Sequence, residues 1–230
     1  MSARNIAAAG ILLLEAAFAG CVSEGGPRSV ATTGSPKWEP IGNRRARVVH
    51  WGVIHNHSRG KWDAVRLLKD DYELVGWVDD RASTAMRMSE PKIDVYTNYP
   101  CFTPQQVFDE VKPDLIVVET ANSDLVEVST EIARHGIPMH MDKPLGTDQE
   151  GYRRMSAICE ARGVPLQIGF REGINRLSFK APQDRYAGQL RELARILRGE
   201  IPNPPGLYLH DLKVHKVSLD ACNLKTEDVK

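Results

Sequence analysis

The chain has 230 residues, and its 30 Lys and Arg residues are balanced by 30 Asp and Glu residues, for a formal net charge of +0 at pH 7. This balance gives no electrostatic reason to expect nucleic acid or an acidic protein as a partner. A hydrophobic content of 42% is ordinary for a globular domain with a buried core. The four cysteines lie far apart without metal-ligand spacing, so we predict neither a disulfide framework nor a zinc site.

The first 21 residues have the pattern of an export signal. Arg4 precedes an apolar run over residues 6–14, and small residues follow up to Cys21. This pattern predicts a secretory signal peptide, and it also resembles a bacterial lipobox, in which the cysteine carries a lipid. Residues 22–45, rich in Gly, Ser, Thr and Pro, predict a flexible linker. We expect export to the periplasm or cell envelope, with membrane contact only through Cys21; a cytoplasmic protein with an ordinary N-terminal helix is the alternative.

Strand and helix patterns alternate after the linker. Two strands joined by one helix within about thirty residues predict a βαβ unit with parallel pairing and a right-handed crossover. Apolar spacing predicts each of these elements. In this first half we predict strands over residues 47–54 and 72–78, a helix over residues 62–68, a short helix over residues 84–89 and a short edge strand over residues 93–96.

The second half continues the alternation. A near-continuous apolar strand over residues 114–119 is typical of a parallel sheet covered on both faces. The whole pattern predicts a doubly wound, Rossmann-like α/β domain over residues 46–171. Its other predicted elements are a helix capped by Thr103, a helix capped by Asn122 or Ser123 and ending at Gly136, a strand over residues 138–141, a helix capped by Thr147 and ending at Gly163, and a strand over residues 164–170.

The Lys143-Pro144 pair carries the main chemical signal. It follows the predicted strand over residues 138–141. A lysine at the carboxyl end of such a strand presents its amine to the crevice where open α/β sheets bind ligands. The proline restrains the turn because its ring fixes φ. Without the surrounding pattern, a surface lysine in a turn would be the simpler interpretation.

The evidence for a dinucleotide is mixed. Asp79 ends the second predicted strand, where an acidic side chain can accept a hydrogen bond from a ribose hydroxyl of NAD. The turn after the first strand has His55 and His57 where small residues would let the backbone approach a pyrophosphate. The alternative is that these histidines only cap or solvate a loop.

Taken together, several segments resemble a known family, the nucleotide-binding half of the Gfo/Idh/MocA oxidoreductases (glucose–fructose oxidoreductase, inositol dehydrogenase and relatives). Their signature is Glu-Lys-Pro, and here Asp142 replaces the glutamate. The resemblance covers about residues 46–171. It is carried by Glu73-Leu-Val-Gly-Trp-Val-Asp79, Asp94-Val-Tyr-Thr-Asn-Tyr99, Pro113-Asp-Leu-Ile-Val-Val118, His135-Gly-Ile-Pro-Met-His-Met-Asp-Lys-Pro-Leu145 and Gln167-Ile-Gly-Phe170.

The resemblance implies an NAD(P)-dependent oxidoreductase that acts on a sugar or polyol hydroxyl. Lys143 matches the lysine that holds the substrate hydroxyl and assists proton transfer while hydride moves to or from the cofactor. The cofactor is NAD or NADP, and Asp79 favours NAD. The residues implied to bind or frame the cofactor are His55, Asn56, His57, Gly60, Asp79, Thr120, Asn122, Ser123, Asp142, Pro144 and Arg171.

The C-terminal part departs from the family pattern. Relatives continue into a second α/β domain, whereas residues 172–230 predict only a shortened, largely helical remnant, with helices over residues 185–198 and 210–221. We predict that His210 and His215 are solvated or core residues rather than the missing catalytic histidine. Two hypotheses follow: an oxidoreductase with a reduced substrate domain, or a non-catalytic, envelope-tethered protein that binds a nucleotide or sugar.

Overall fold

The computed structural model of the chain describes residues 36–81, 94–169, 184–204, 207–222 and 224, all within one compact unit. The predicted signal peptide, the linker before residue 36, the predicted helix over residues 84–89 and Arg171 lie outside the described residues. Across the described ranges, none of the helices combines the length and the apolar character needed to cross a membrane.

Six strands and six α-helices make up the described structure. Their bounds are β1 Ala46–Trp51, α1 Ser58–Leu67, β2 Tyr72–Val78, β3 Cys101–Phe102, α2 Pro104–Gln106 (continued by a π-helical turn, Val107–Val111), β4 Leu115–Val118, α3 Leu125–His135, β5 Met139–Met141, α4 Gln149–Arg162, β6 Leu166–Ile168, α5 Asp184–Arg198 and α6 Leu207–Ala221.

The strands form one parallel sheet in the order β3-β2-β1-β4-β5-β6. This is the strand order of the dinucleotide-binding Rossmann fold, so the predicted doubly wound α/β architecture is confirmed. The order reverses between β1 and β4, which are neighbours in space although β2 and β3 separate them in the chain. Such a reversal opens a crevice at the carboxyl ends of the strands, where ligands bind in this class of sheet.

Both faces of the sheet are buried, which explains the continuous apolar runs of its strands. In β4, Leu115 and Val117 pack into the core beneath α1 and α5. Ile116 and Val118 face the opposite core, beneath α3 and α4. Because successive side chains of a strand point to opposite faces, one four-residue apolar run contributes to both layers.

The two C-terminal helices pack on this same sheet. Leu190, with its neighbours on the apolar stripe of α5, lies in the core beside Val48 of β1. The Tyr72 hydroxyl at the start of β2 donates a 2.5 Å hydrogen bond to the carbonyl of Leu190. On the other face, Leu212 of α6 joins the core that contains Tyr152. The helices therefore complete the layers around the sheet; their origin as a remnant of a substrate domain stays a prediction.

The predicted edge strand over residues 93–96 is wrong for its described part. Residues 94–98 form turns, and the edge strand is β3. The reason is the Tyr96 ring, which is buried with its centroid 4.6 Å from Trp62 and 5.5 Å from Trp77. The turn places this ring in an aromatic cluster with Trp62 and Trp77.

One of the three predicted helix caps is confirmed. Thr103 caps α2, with its hydroxyl accepting from the Gln106 N–H in a reciprocal capping box. The cap of α4 is Asp148 rather than Thr147, because the Asp148 carboxylate accepts from the Gly151 N–H at 2.9 Å.

The predicted cap of α3 is also corrected. The residue at the N-cap is Asp124, and its side chain makes no capping hydrogen bond to the helix. The Ser123 hydroxyl, predicted as a cap, donates to the Asp124 carboxylate instead. The predicted end of this helix at Gly136 is confirmed, and that glycine adopts a left-handed φ of 72°.

Candidate functional site

The candidate site lies where β1, β4 and β5 end side by side. The turn after β1 carries His55 and His57, β4 is followed by Glu119, and β5 is followed by Asp142 and Lys143. The topology thus gathers residues from three separate parts of the chain into the crevice beside the strand-order reversal. A parallel sheet makes this convergence unavoidable, because all carboxyl ends lie at the same edge.

Gly52 lets the first turn close onto β4. Its φ is +96°, and a Cβ on it would lie 2.7 Å from the Glu119 carbonyl carbon and from the Thr120 nitrogen. Only glycine tolerates this combination of positive φ and close backbone approach. The turn is therefore held directly against the end of β4.

The next residues keep the spacing of a dinucleotide fingerprint but not its composition. In G-x-G-x-x-G the first two glycines allow a tight turn and a close approach to pyrophosphate, and the third allows close packing of the helix. His55 and His57 occupy the first two positions, and Gly60 occupies the third. A Cβ on Gly60 would lie 2.5 Å from the Tyr186 ring, so this glycine allows α5 to pack on the start of α1.

A buried ion cluster lies beneath the histidines. The Nζ of Lys61 is 2.5 Å from Oε1 of Glu119 and 2.6 Å from Oδ1 of Asp142. The three side chains are at most 2% exposed. Buried charges require such pairing, because an isolated ion would lose its hydration without compensation. Lys61 thus joins α1 to the ends of β4 and β5.

Both histidines turn towards the same carboxylate. Nδ1 of His55 lies 2.6 Å from Oδ2 of Asp142 and 3.4 Å from Oε2 of Glu119. Nδ1 of His57 lies 2.9 Å from the same Oδ2. Each carboxylate therefore offers one oxygen to Lys61 and its other oxygen to the histidine side.

The pKa values of the cluster follow from burial and these contacts. Burial lowers the pKa of His55, but its hydrogen bonds to Asp142 and Glu119 outweigh burial and raise that pKa to about 9. Burial raises the pKa of Asp142, but the His55 hydrogen bond and the Lys61 charge outweigh it and hold that pKa well below its ordinary value. For Lys61, burial lowers the pKa, and the two carboxylates reverse the effect. At neutral pH, His55, Asp142 and Lys61 are accordingly ionised.

Lys143 lies at the edge of this cluster. The side chain is half-buried, and the Lys143–Pro144 peptide bond is cis. Burial lowers the pKa of His57, and the Lys143 charge lowers it further, which together outweigh the raising effect of Asp142. The loop continues to Gly146, whose carbonyl lies 3.0 Å from Nε2 of the buried His215 in α6. His215 therefore supports the lysine loop from within the core.

The two acids that follow β2, Asp79 and Asp80, differ in their partners and in their burial. Asp79, the predicted ribose ligand, forms an ion pair with Arg81, with Nε 2.8 Å from Oδ1. Asp80 is buried, and its Oδ1 accepts from the Val53 N–H at 2.9 Å. Burial raises the pKa of Asp80 to about 6. Asp80 thus holds the first turn, while the Asp79 side chain stays about a quarter exposed.

The predicted residues after β4 have separate environments. Thr120 is buried and its hydroxyl donates to the Ala121 carbonyl. Ser123 is exposed. Asn122 is half-buried, and its Oδ1 is a buried acceptor that meets no donor among the residues described. An orphaned acceptor at the mouth of the crevice fits a bound ligand with donor groups.

The structure brings the first turn and the lysine loop into contact through Asp142. These two segments contain five of the predicted residues: His55, Asn56, His57, Asp142 and Lys143. Pro144 follows in the same loop, and Gly60 lies at the start of α1. Asp79 lies apart from these contacts, at the end of β2. Sequence reasoning missed Lys61 and Glu119, although a lysine next to the buried Trp62 and an acid ending an apolar strand were weak signals of burial.

A comparison with protein families gives one match. The model for the Gfo/Idh/MocA group, described as an oxidoreductase family with an NAD-binding Rossmann fold, matches residues 42–170, more than half of the chain. No curated protein matches the chain.

Solved structures resemble the chain at low identity. The WlbA dehydrogenase from Bordetella pertussis, solved with NADH and UDP-GlcNAcA, is 24% identical with a TM-score of 0.47, covering 56% of this chain and 36% of that one. A putative myo-inositol dehydrogenase from Sinorhizobium meliloti 1021 is 20% identical with a TM-score of 0.45, covering 54% and 36%. A biliverdin reductase from Synechocystis sp. PCC 6803 is 16% identical with a TM-score of 0.44, covering 54% and 37%. The chain thus spans little more than a third of the length of these proteins.

Proposed function

Because the chain belongs to the Gfo/Idh/MocA family of oxidoreductases with an NAD-binding Rossmann fold, we propose that it is an NAD(P)-dependent oxidoreductase. In this proposal, hydride moves between the nicotinamide ring and the carbon that bears a hydroxyl of a sugar or polyol. The observation that carries the proposal is the position of Lys143. It follows β5 in the loop beside the strand-order reversal, next to the turn where a Rossmann fold receives its dinucleotide.

Three features of the crevice fit a dinucleotide. Gly52 closes the first turn, Asp79 follows β2 where an acid can accept from a ribose hydroxyl, and the buried Oδ1 of Asn122 has capacity to accept from a ligand. His55 and His57 differ from the usual glycines, so the pyrophosphate would meet imidazole groups at this turn rather than bare backbone.

The choice between NAD and NADP rests on Asp79 and Arg81. A carboxylate at the end of β2 favours the free ribose hydroxyls of NAD. An arginine nearby accommodates the 2′-phosphate of NADP. Since the two side chains are paired with each other here, NADP would have to draw Arg81 from Asp79. We therefore propose NAD as the preferred cofactor.

The chemistry of the chain's own residues centres on Lys143. The nicotinamide, when bound, supplies the hydride acceptor or donor. Lys143 Nζ would bind the substrate hydroxyl oxygen and take or return its proton. Asp142 is held by Lys61 and His55, so it serves to fix the strand end before the lysine rather than to act as the base.

Export remains part of the proposal. It rests on the basic start, the apolar run over residues 6–14 and the small residues before Cys21. A chain with this pattern would work in the cell envelope and be anchored by a lipid on that cysteine. The mass of the mature protein in a membrane fraction, with or without the lipid, tests this part separately.

The test of activity uses the full chain with NAD and NADP and a panel of sugars and polyols, followed through nicotinamide absorbance. Lys143→Met removes the amine while keeping a long, unbranched side chain, and Lys69→Met is the matched control at an exposed position. We expect turnover to fall by at least about 100-fold in the first variant, since general acid–base catalysis contributes that much. Turnover should be unchanged in the second. Full activity of Lys143→Met, or no reduction of either cofactor by folded chain that binds it, would contradict the proposal.

A further inference from the structure

Three potential metal ligands converge at the first turn. One ligand atom each from His55, His57 and Asp142 lies within 4.8 Å of the other two. We propose that these three side chains bind one divalent transition-metal ion of the Zn²⁺ class. This site goes beyond the proposed oxidoreductase function, and neither the dinucleotide nor the lysine chemistry requires it.

The donor set suits such an ion. Imidazole nitrogen and carboxylate oxygen are common ligands of Zn²⁺, and two histidines with one carboxylate leave a coordination position open for water or another ligand. Metal–ligand bonds of about 2.0–2.2 Å in a tetrahedron place neighbouring ligand atoms about 3.3 Å apart. The two Nδ1 atoms lie 2.6 Å and 2.9 Å from Oδ2 of Asp142. These two separations would have to widen by about 0.7 Å and about 0.4 Å to admit the ion.

The shared carboxylate oxygen is the place where one ion can replace two hydrogen bonds. Oδ2 of Asp142 faces Nδ1 of both His55 and His57. As hydrogen bonds, these two contacts need a proton on Nδ1 of each histidine, and the carboxylate oxygen can accept both. One divalent ion replaces both of these protons and takes a lone pair from each nitrogen. Binding then releases the extra proton of an imidazolium, whereas a neutral imidazole keeps its proton and moves it to Nε2.

Lys61 already holds the carboxylates in the required orientation. Its Nζ binds Oδ1 of Asp142 and Oε1 of Glu119, which leaves Oδ2 and Oε2 turned towards the histidines. Fixing the second oxygen of a ligating carboxylate is the usual role of groups that surround a metal site. Glu119 Oε2, 3.4 Å from Nδ1 of His55, is within reach as a fourth ligand.

The charge of the cluster and its access to solvent also favour the binding of a cation. Asp142 and Glu119 carry two negative charges against the one positive charge of Lys61, and an ion that displaces the proton of His55 meets this net negative charge. The side chains of His55 and His57 are 9% and 14% exposed, whereas those of Lys61 and Glu119 are fully buried. An ion can therefore enter from the histidine side without opening the core.

The test uses the full chain, freed of metal with a chelator and kept without nucleotide. Zn²⁺ is titrated calorimetrically in two buffers of different ionisation enthalpy, and Co²⁺ binding is followed by visible absorption. We expect one ion per chain and proton release. His57→Gln should weaken binding by at least about 100-fold, the upper range for groups that only surround a site. His135→Gln, at an exposed histidine outside the cluster, is the matched control and should bind as the unaltered chain does.

Two results would overturn the site. The first is the absence of heat and of Co²⁺ absorption with folded chain. The second is unchanged affinity in folded His57→Gln. If that variant does not fold, anomalous scattering from Zn²⁺-soaked crystals of the unaltered chain decides the matter: an ion bonded to His55, His57 and Asp142 supports the site, and an ion elsewhere or none refutes it. Because nucleotide is absent throughout, these outcomes are independent of the proposed oxidoreductase activity.

Discussion

Nζ of Lys61 lies 2.6 Å from Oδ1 of Asp142, and this ion pair joins the helix after β1 to the strand that presents Lys143. The contact spans 81 residues of sequence and is fully buried. Glu119 completes the arrangement from the end of β4. The position of the candidate catalytic lysine is thus set by a charge network inside the sheet edge, and this network is open to direct tests.

The first prediction concerns the buried ammonium. Lys61→Met should lower the free energy of unfolding by about 3–5 kcal/mol, since it leaves Glu119 and Asp142 buried without their cation. Urea denaturation measures this change. Lys216→Met removes a partly exposed i, i+4 partner of Asp220 and should cost no more than about 0.5 kcal/mol. Equal effects of the two substitutions would show that the buried network is not stabilising the fold.

The second prediction concerns pH. The pKa of Asp80 is about 6 in the folded chain against an ordinary value of 3.8, because the carboxyl is buried. The folded state therefore binds the proton more tightly than the unfolded state, and stability contributed by this group falls as pH rises from about 4 to 6. Asp80→Asn keeps an acceptor for the Val53 N–H and removes the titration.

The variant should match the unaltered chain near pH 4 and exceed its unfolding free energy by roughly 3 kcal/mol near pH 8. Denaturation curves at a series of pH values give both quantities. A variant that is less stable than the unaltered chain at pH 8 would refute this assignment, because the carboxylate form would then be favoured by folding.

The third prediction compares two glycine substitutions. In one, the added Cβ meets only an unfavourable backbone φ; in the other, it also meets a neighbouring backbone. Gly163 has φ +66° and no atom within 4 Å of the place that an added Cβ would take, so Gly163→Ala should cost about 1–2 kcal/mol from conformation alone. Gly52 has φ +96° and a backbone neighbour 2.7 Å from the corresponding place, so Gly52→Ala should cost clearly more. Thermal unfolding of both variants provides the comparison. Equal costs would mean that the end of β4 yields freely to the first turn.

The fourth prediction tests the place of α5. Leu190 is fully buried against the sheet, so Leu190→Ala should cost about 2–5 kcal/mol and unfold in a single transition. Val217→Ala, at a position in α6 that is 69% exposed, should have little effect. A small effect of the first substitution, or a separate early transition, would indicate that α5 is not part of this core.

Much of the fold could be predicted because its signals are local. The bounds of β2 were predicted as residues 72–78, since an apolar segment ends there at two acids. The strand predicted over residues 47–54 ends earlier, at Trp51, because Gly52 turns the chain although Val53 and Ile54 are still buried. Apolar character alone does not distinguish a buried strand from a buried turn.

The site was less predictable for a physical reason. Sequence reasoning selected His55, His57 and Asp142, but their mutual contacts depend on the strand order. Glu119 was predicted only as the last residue of a strand. Lys61 was missed because the predicted helix began at residue 62, whereas α1 begins at Ser58. Its partners lie far away in the chain, and only the folded sheet brings them within ion-pair distance.

The most direct test of the central claim is an equilibrium titration of the full chain with NAD, NADH, NADP and NADPH, with heat release and the thermal midpoint as readouts. A nucleotide at a hundredfold its dissociation constant should add about 2.7 kcal/mol of stability. We predict micromolar binding of at least NAD or NADH, weakened in Asp79→Ala and unchanged in Asp70→Ala, an exposed control. A folded chain that binds none of the four nucleotides would contradict the proposal that this Rossmann fold serves a nicotinamide-dependent oxidoreductase.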